Sequence, residues 1–187
     1  MKSETVKKII DSFNGNFIVL LIVNSENYLD TNIAILKEVT KKSVGVYITL
    51  NRPYSSLVPL LEHKKVNTKK IFFIDCVTKT VGGKEEGENV IYLENAQGLT
   101  NLCMTIVEAV KALPGENKFL ILDTLATLSV YNSEGSVSKF VHFLTNKMRM
   151  LKLNGVLLSA EKEMDLKLAK QLEPFVDKTV DISKNGK

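Results

Sequence analysis

Residues 17–32 read FIVLLIVNSENYLDTN, an unbroken apolar run that ends in a polar turn and opens into a segment of helical character. A continuous apolar run of strand length, rather than an alternating one, fits a strand that is covered on both faces and loses water from each. After the turn, Leu29, Ile33, Leu36 and Val39 fall on one face of a helix predicted over Leu29 to Lys42. A buried strand feeding an amphipathic helix is the opening half of a strand-helix-strand unit, and this unit decides the fold.

The same alternation runs through the rest of the chain. Apolar runs recur at 44–50 (VGVYITL), 71–75 (IFFID), 119–123 (FLILD) and 155–160 (GVLLSA), with a last short candidate at 179–183 (TVDIS). Between them lie stretches with helical spacing at Ser55–His63, Leu99–Leu113, Ser136–Leu153 and Asp165–Leu172. The pattern predicts an α/β fold of three layers, a mainly parallel sheet covered by helices on both faces. The length of 187 residues suits a single domain over 1–187. The stretch TKTVGGKEEGEN at 78–89 reads as an exposed loop before the short apolar piece VIYL, and YNSEG at 131–135 as a polar turn.

Composition narrows the function classes. With 44% hydrophobic and 25% charged residues, the chain has the balance of a soluble globular protein. The net charge of +4 comes from lysines scattered along the chain, with doublets at Lys41-Lys42, Lys64-Lys65 and Lys69-Lys70. Such a diffuse excess is ordinarily a solvated face, and 7% aromatics without tryptophan supply few platforms for stacking bases, so nucleic acid is a weakly supported partner. Cys76 and Cys103 sit among apolar neighbours as buried thiols, and His63 and His142 have no ligand-spaced companions. The amphipathic start MKSETVKKIIDSF lacks the apolar core of a signal peptide, and no apolar run can cross a bilayer. The expected location is cytoplasmic, with no membrane partner.

In an open parallel sheet, ligands bind beyond the carboxyl ends of the strands. The residues to inspect are therefore Asn24 to Asp30, Asn51 and Arg52, Asp75 and Cys76, Asp123 and Thr124, and Ser159 to Glu161. A phosphate loop needs glycines to curl its amides around oxygen, a lysine for the terminal phosphates and a hydroxyl for magnesium. Laid over Asn24 to Thr31, that pattern meets N-S-E-N-Y-L-D-T and only the final hydroxyl fits. Leu29 stands in place of glycine and Asp30 in place of lysine, where its charge opposes phosphate. The turn reads more simply as a helix start, with Asn24, Ser25 or Asn27 as cap and Asp30 in the first turn. At Asp123, which ends the run FLILD, two readings stand side by side: a carboxylate for magnesium, or one that hydrogen-bonds a neighbouring turn. Asp75, Asp123 and Glu161 at successive strand ends form a weaker candidate for a lone metal.

Taken in order, the first strand and its turn, GVYITLNRPYSSLVPLL, KIFFIDC, NKFLILDTL, a long helix and NGVLLSAEKE resemble the KaiC and RadA branch of the RecA-like ATPases, over roughly Asn14 to Ser183. The resemblance implies a RecA-like fold and places the family's magnesium carboxylate at Asp123 and its phosphate-loop hydroxyl at Thr31. In that family the second strand ends in a carboxylate that activates the attacking water, with proline soon after. Here YITLNRP keeps Pro53 but puts Asn51 and Arg52 at the carboxylate positions, and neither side chain is a general base. The glycine, the lysine and the activating carboxylate are all replaced, which implies a non-hydrolysing pseudo-ATPase without a cofactor, working by protein interaction or self-association. Asn24, Asp30, Thr31, Asn51, Arg52 and Asp123 would then mark a degenerate nucleotide site. The competing expectation is an atypical ATP and magnesium binder, with Lys41, Lys42 or Arg52 in place of the lysine and Asp123 on the metal.

Overall fold

The computed structural model describes residues 2–13, 16–94, 96–161 and 165–183. Seven strands, β1 (Ile18–Val23), β2 (Val44–Thr49), β3 (Ile71–Asp75), β4 (Val90–Tyr92), β5 (Lys118–Asp123), β6 (Asn154–Ala160) and β7 (Lys178–Asp181), form one sheet in the order β4-β3-β2-β5-β6-β1-β7. Every pairing is parallel. The apolar runs are strands for the reason their composition suggests: side chains of β1, β2, β5 and β6 pack on both faces of the sheet.

Helices α1 (Lys2–Asp11), α2 (Tyr28–Lys42) and α3 (Tyr54–His63) pack on one face, against Val19, Leu21, Tyr47, Ile121 and Val156. Helices α4 (Leu99–Ala112), α5 (Leu125–Tyr131), α6 (Glu134–Met150) and α7 (Leu166–Leu172) cover the other, against Leu20, Ile48, Leu122 and Leu157. The three-layer α/β architecture is therefore present, and its sheet is parallel throughout. Among the described residues no helix is long and apolar enough to cross a membrane.

Several boundaries differ from the periodicity. The predicted helix at 136–153 starts earlier and ends at Met150: Ser133 caps its amino end through Ser136 N at 3.3 Å, and Lys152, with φ of 54°, turns the chain out. Helix α5 lies in an apolar stretch with no charged face to mark a period, and Leu125, Ala126 and Leu128 are buried. VIYL becomes the edge strand β4, held beside β3.

The strand order sets the crevice. From β1 the chain passes through α2 across β6 and β5 to reach β2, then moves outward to β3 and β4 before returning to β5. The first turn of α2 consequently lies over the carboxyl end of β5, where connections diverge.

Candidate functional site

Asp123 closes β5 and points to the α2 face of the sheet, nearly fully buried. Its Oδ1 accepts a short hydrogen bond from the Tyr28 hydroxyl, and its Oδ2 accepts a short one from the Tyr47 hydroxyl. Asn32 Nδ2 donates to the same Oδ2 at 3.0 Å and to Tyr47 Oη at 2.6 Å. Tyr28 and Asn32 reach the carboxylate together because four residues apart on α2 puts them on one helix face. Tyr47 arrives from β2, whose Thr49 pairs in register with Asp123.

Burial raises the Asp123 carboxyl above its ordinary value; hydrogen bonds from Tyr28, Tyr47 and Asn32, and then the charge of Arg52, pull it partway back. Burial and the neighbouring Asp123 also push the Tyr47 phenol well above its ordinary range, so Tyr47 stays a donor at neutral pH. A carboxylate offers about four lone-pair positions, and three of them here are met by protein donors. The arrangement ties α2, β2 and β5 into one polar knot. Two buried side-chain oxygens of α2, Thr31 Oγ1 and Asn32 Oδ1, have no hydrogen-bond partner among the described residues.

The other residues singled out in the sequence are dispersed around this knot. Asn24 Oδ1 accepts from Glu26 N at 2.9 Å and caps the single 3-10 turn that leads into α2. Asp30 is exposed and lines a shallow cleft with Val6, Lys37 and Lys64, on a side of α2 different from that of Tyr28 and Asn32. Thr31 is buried. Asn51 and Arg52 lie exposed after β2: Asn51 accepts a short bond from Thr127, and the Arg52 backbone is bracketed by Thr49, whose hydroxyl donates to Arg52 O at 2.5 Å. The expectation that Lys41 or Lys42 could reach a ligand at Asp123 is corrected, since both close α2, about 20 Å along the helix axis from Tyr28.

Asp75 is likewise corrected as a metal candidate. Two strand spacings, about 10 Å, separate it from Asp123, and it is fully buried as the organiser of its own turn. It accepts from Tyr54 N and Val77 N at 2.7 Å, Thr78 N at 2.8 Å and Thr78 Oγ1 at 2.5 Å. Among the described residues no group of three or more His, Cys, Asp or Glu side chains could hold a metal ion. Cys76 and Cys103 are free and buried, and burial, with the charge of Asp75 adding, pushes the Cys76 thiol up to about 12. Asn32 and Tyr47 were not singled out in the sequence, and Tyr28 stood there only as one residue of the turn Asn24 to Asp30. Their available signal was a polar side chain breaking an apolar stripe, as Tyr47 does in VGVYITL.

Sheet order and layers define a three-layer α/β protein, and its fold is shared with solved KaiC-like structures. The protein of unknown function PH0321 from Pyrococcus horikoshii, solved in complex with an unknown peptide, is similar at a TM-score of 0.73 and 9% identity, over 98% of this chain and 85% of that one. The KaiC-like protein PH0186 from Pyrococcus horikoshii OT3 is similar at 0.61 and 13% identity, over 92% of this chain and 74% of that one. The flagellar accessory protein FlaH from Methanocaldococcus jannaschii is similar at 0.62 and 11% identity, over 97% and 77%. The chain belongs to DUF7504, a family of unknown function whose model matches residues 45–182. No curated protein matches the sequence.

Proposed function

We propose that this chain is a non-hydrolysing RecA/KaiC-like pseudo-ATPase that acts as a protein-interaction or regulatory module. The observation that carries this reading is the hydrogen bonding of Asp123, both of whose oxygens already accept from protein donors, Tyr28, Tyr47 and Asn32. To hold magnesium there, the carboxylate would have to release tyrosine donors and the cation would have to shed water into a buried site. The residues present do not suit magnesium and a nucleoside triphosphate: the turn at 24–31 has neither glycine nor lysine, and Asp30 brings negative charge. The peptide held by PH0321 supports the interaction part, since that protein has the same fold.

Calorimetry of the full chain with ATP and magnesium tests the reading. Binding weaker than millimolar and no phosphate release are expected. Micromolar binding or turnover, lost on Asp123→Ala, would overturn it in favour of an atypical nucleotide binder.

A further inference from the structure

On the sheet face opposite Asp123, α4 and α6 leave an open groove of about 560 Å³. Leu99, Cys103 and Met104 from α4 and Phe140 and Phe143 from α6 supply its apolar lining. Met104 is 59% exposed and Phe143 51%, and Met150 further along α6 is 75% exposed. Large apolar side chains standing this far out of a packed layer mark an interaction surface when they are contiguous.

The groove's own lining carries charge of one sign, while Glu108 stands exposed one turn beyond Met104 on α4. Lys139 lines the groove, and Lys147 holds its ammonium 5.3 Å from the centroid of the Phe143 ring. Neither lysine has an ion pair among the described residues, and no carboxylate lines the groove. Glu134, the one acid of α6, is already paired with Lys167 at 3.2 Å. Arg149 is taken up by Asp177 at 3.0 Å.

We propose that this groove docks an acidic amphipathic helix of a partner protein, its apolar stripe on Met104 and Phe143 and its flanking carboxylates on Lys139 and Lys147. Helix-in-groove binding uses anchors at positions i, i+3 or i+4, and i+7, and rim charges of opposite sign fix the register. In a two-fold pairing with a second copy, Glu108, the one acid of α4, would be a single carboxylate for these two lysines, whereas a partner helix with two flanking carboxylates meets both. The inference rests on the interaction reading above and names its surface and the partner's chemistry.

The test uses the full 15N-labelled chain and three synthetic helical peptides of equal length: one with a leucine stripe flanked by glutamate, one with the same stripe flanked by lysine, and one with the glutamate peptide scrambled. Amide shifts confined to α4 and α6 are expected with the glutamate peptide, and at least tenfold weaker binding with the other two. Phe143→Asp should weaken the glutamate peptide more than tenfold. The surface pair Lys139→Glu and Lys147→Glu, which leaves the apolar lining intact, should reverse the preference toward the lysine peptide. Equal binding of the two striped peptides, no binding, shifts elsewhere, or a dimer that Phe143→Asp converts to monomer would overturn the proposal. These outcomes bear on the groove alone, whereas micromolar ATP binding would overturn the non-hydrolysing reading whatever the peptides do.

Discussion

Asp123 is a buried carboxyl whose raised value makes a pH-dependent contribution of definite sign. The folded chain holds that proton more tightly than the unfolded chain, whose value is about 4. Stability from this group is therefore complete below the unfolded value and falls as pH rises from there through the folded value. Asp123→Asn cannot titrate, so its stability relative to the native protein should climb across the same window and then level, superimposed on a constant hydrogen-bond offset. Urea midpoints from pH 4 to 8 measure this; a difference that is flat or falls with pH would mean that the three donors outweigh burial. Tyr47→Phe removes a donor to a charged acceptor and should cost about 1–3 kcal/mol at neutral pH. It should also steepen the pH dependence, since the Tyr47 bond helps hold the carboxyl down. Asp123 could be picked from the sequence because it ends an apolar run at a strand terminus. Its partners could not, because Tyr28, Asn32 and Tyr47 lie 95, 91 and 76 residues away and only the strand order unites them. Asp75 misled for the reverse reason: the same strand-end pattern there serves a local turn.

At the level of elements, the central strands were legible because burial on both faces leaves continuous apolar runs of strand length, rich in β-branched residues and alternating with amphipathic stretches. Helix α5 left none, because Leu125–Tyr131 has no charged face to mark a helical period, whereas α7, equally short, carries lysines. The glycines in two strands were also silent, and the packing explains them differently. A Cβ on Gly45 would stand 2.3 Å from the carbonyl oxygen of Phe119 and 2.4 Å from its ring, in the register partner on β5. Backbone cannot step aside there without breaking the β2–β5 ladder. A Cβ on Gly155 would meet Met148 Cε at 1.9 Å, which is the far end of a flexible side chain. Gly45→Ala should therefore cost about 3 kcal/mol or more and Gly155→Ala about 1 kcal/mol. Denaturant unfolding of the two variants gives the comparison, and equal losses would show that the sheet yields at Gly45 as easily as Met148 does at Gly155.

For the whole molecule, alternation of strands and helices predicts a covered parallel sheet but does not order it, since order depends on which crossover passes over which strand. The order found puts β1, the first strand in sequence, between β6 and β7, and makes β4 and β7 the edges. Those edges are short: β4 pairs three residues with β3, and β7 pairs four with β1. β1, β2, β5 and β6 instead have neighbours on both sides and side chains packed in both core layers. Opening an edge costs one ladder and little apolar burial, while opening β5 requires the α2 knot at Asp123 and both layers to come apart. Native-state hydrogen exchange should then rank β5, β6, β1 and β2 near the global unfolding free energy, with β4 and β7 exchanging through smaller local openings. In rising urea the edge amides should report little dependence on denaturant at first and merge with the central ones only near the transition. If β7 amides exchanged as slowly as those of β1 and with the same denaturant slope, the edge would be part of one cooperative unit, and the Ile182 N bond to Ile22 O at 2.9 Å that follows β7 would be the first contact to remove.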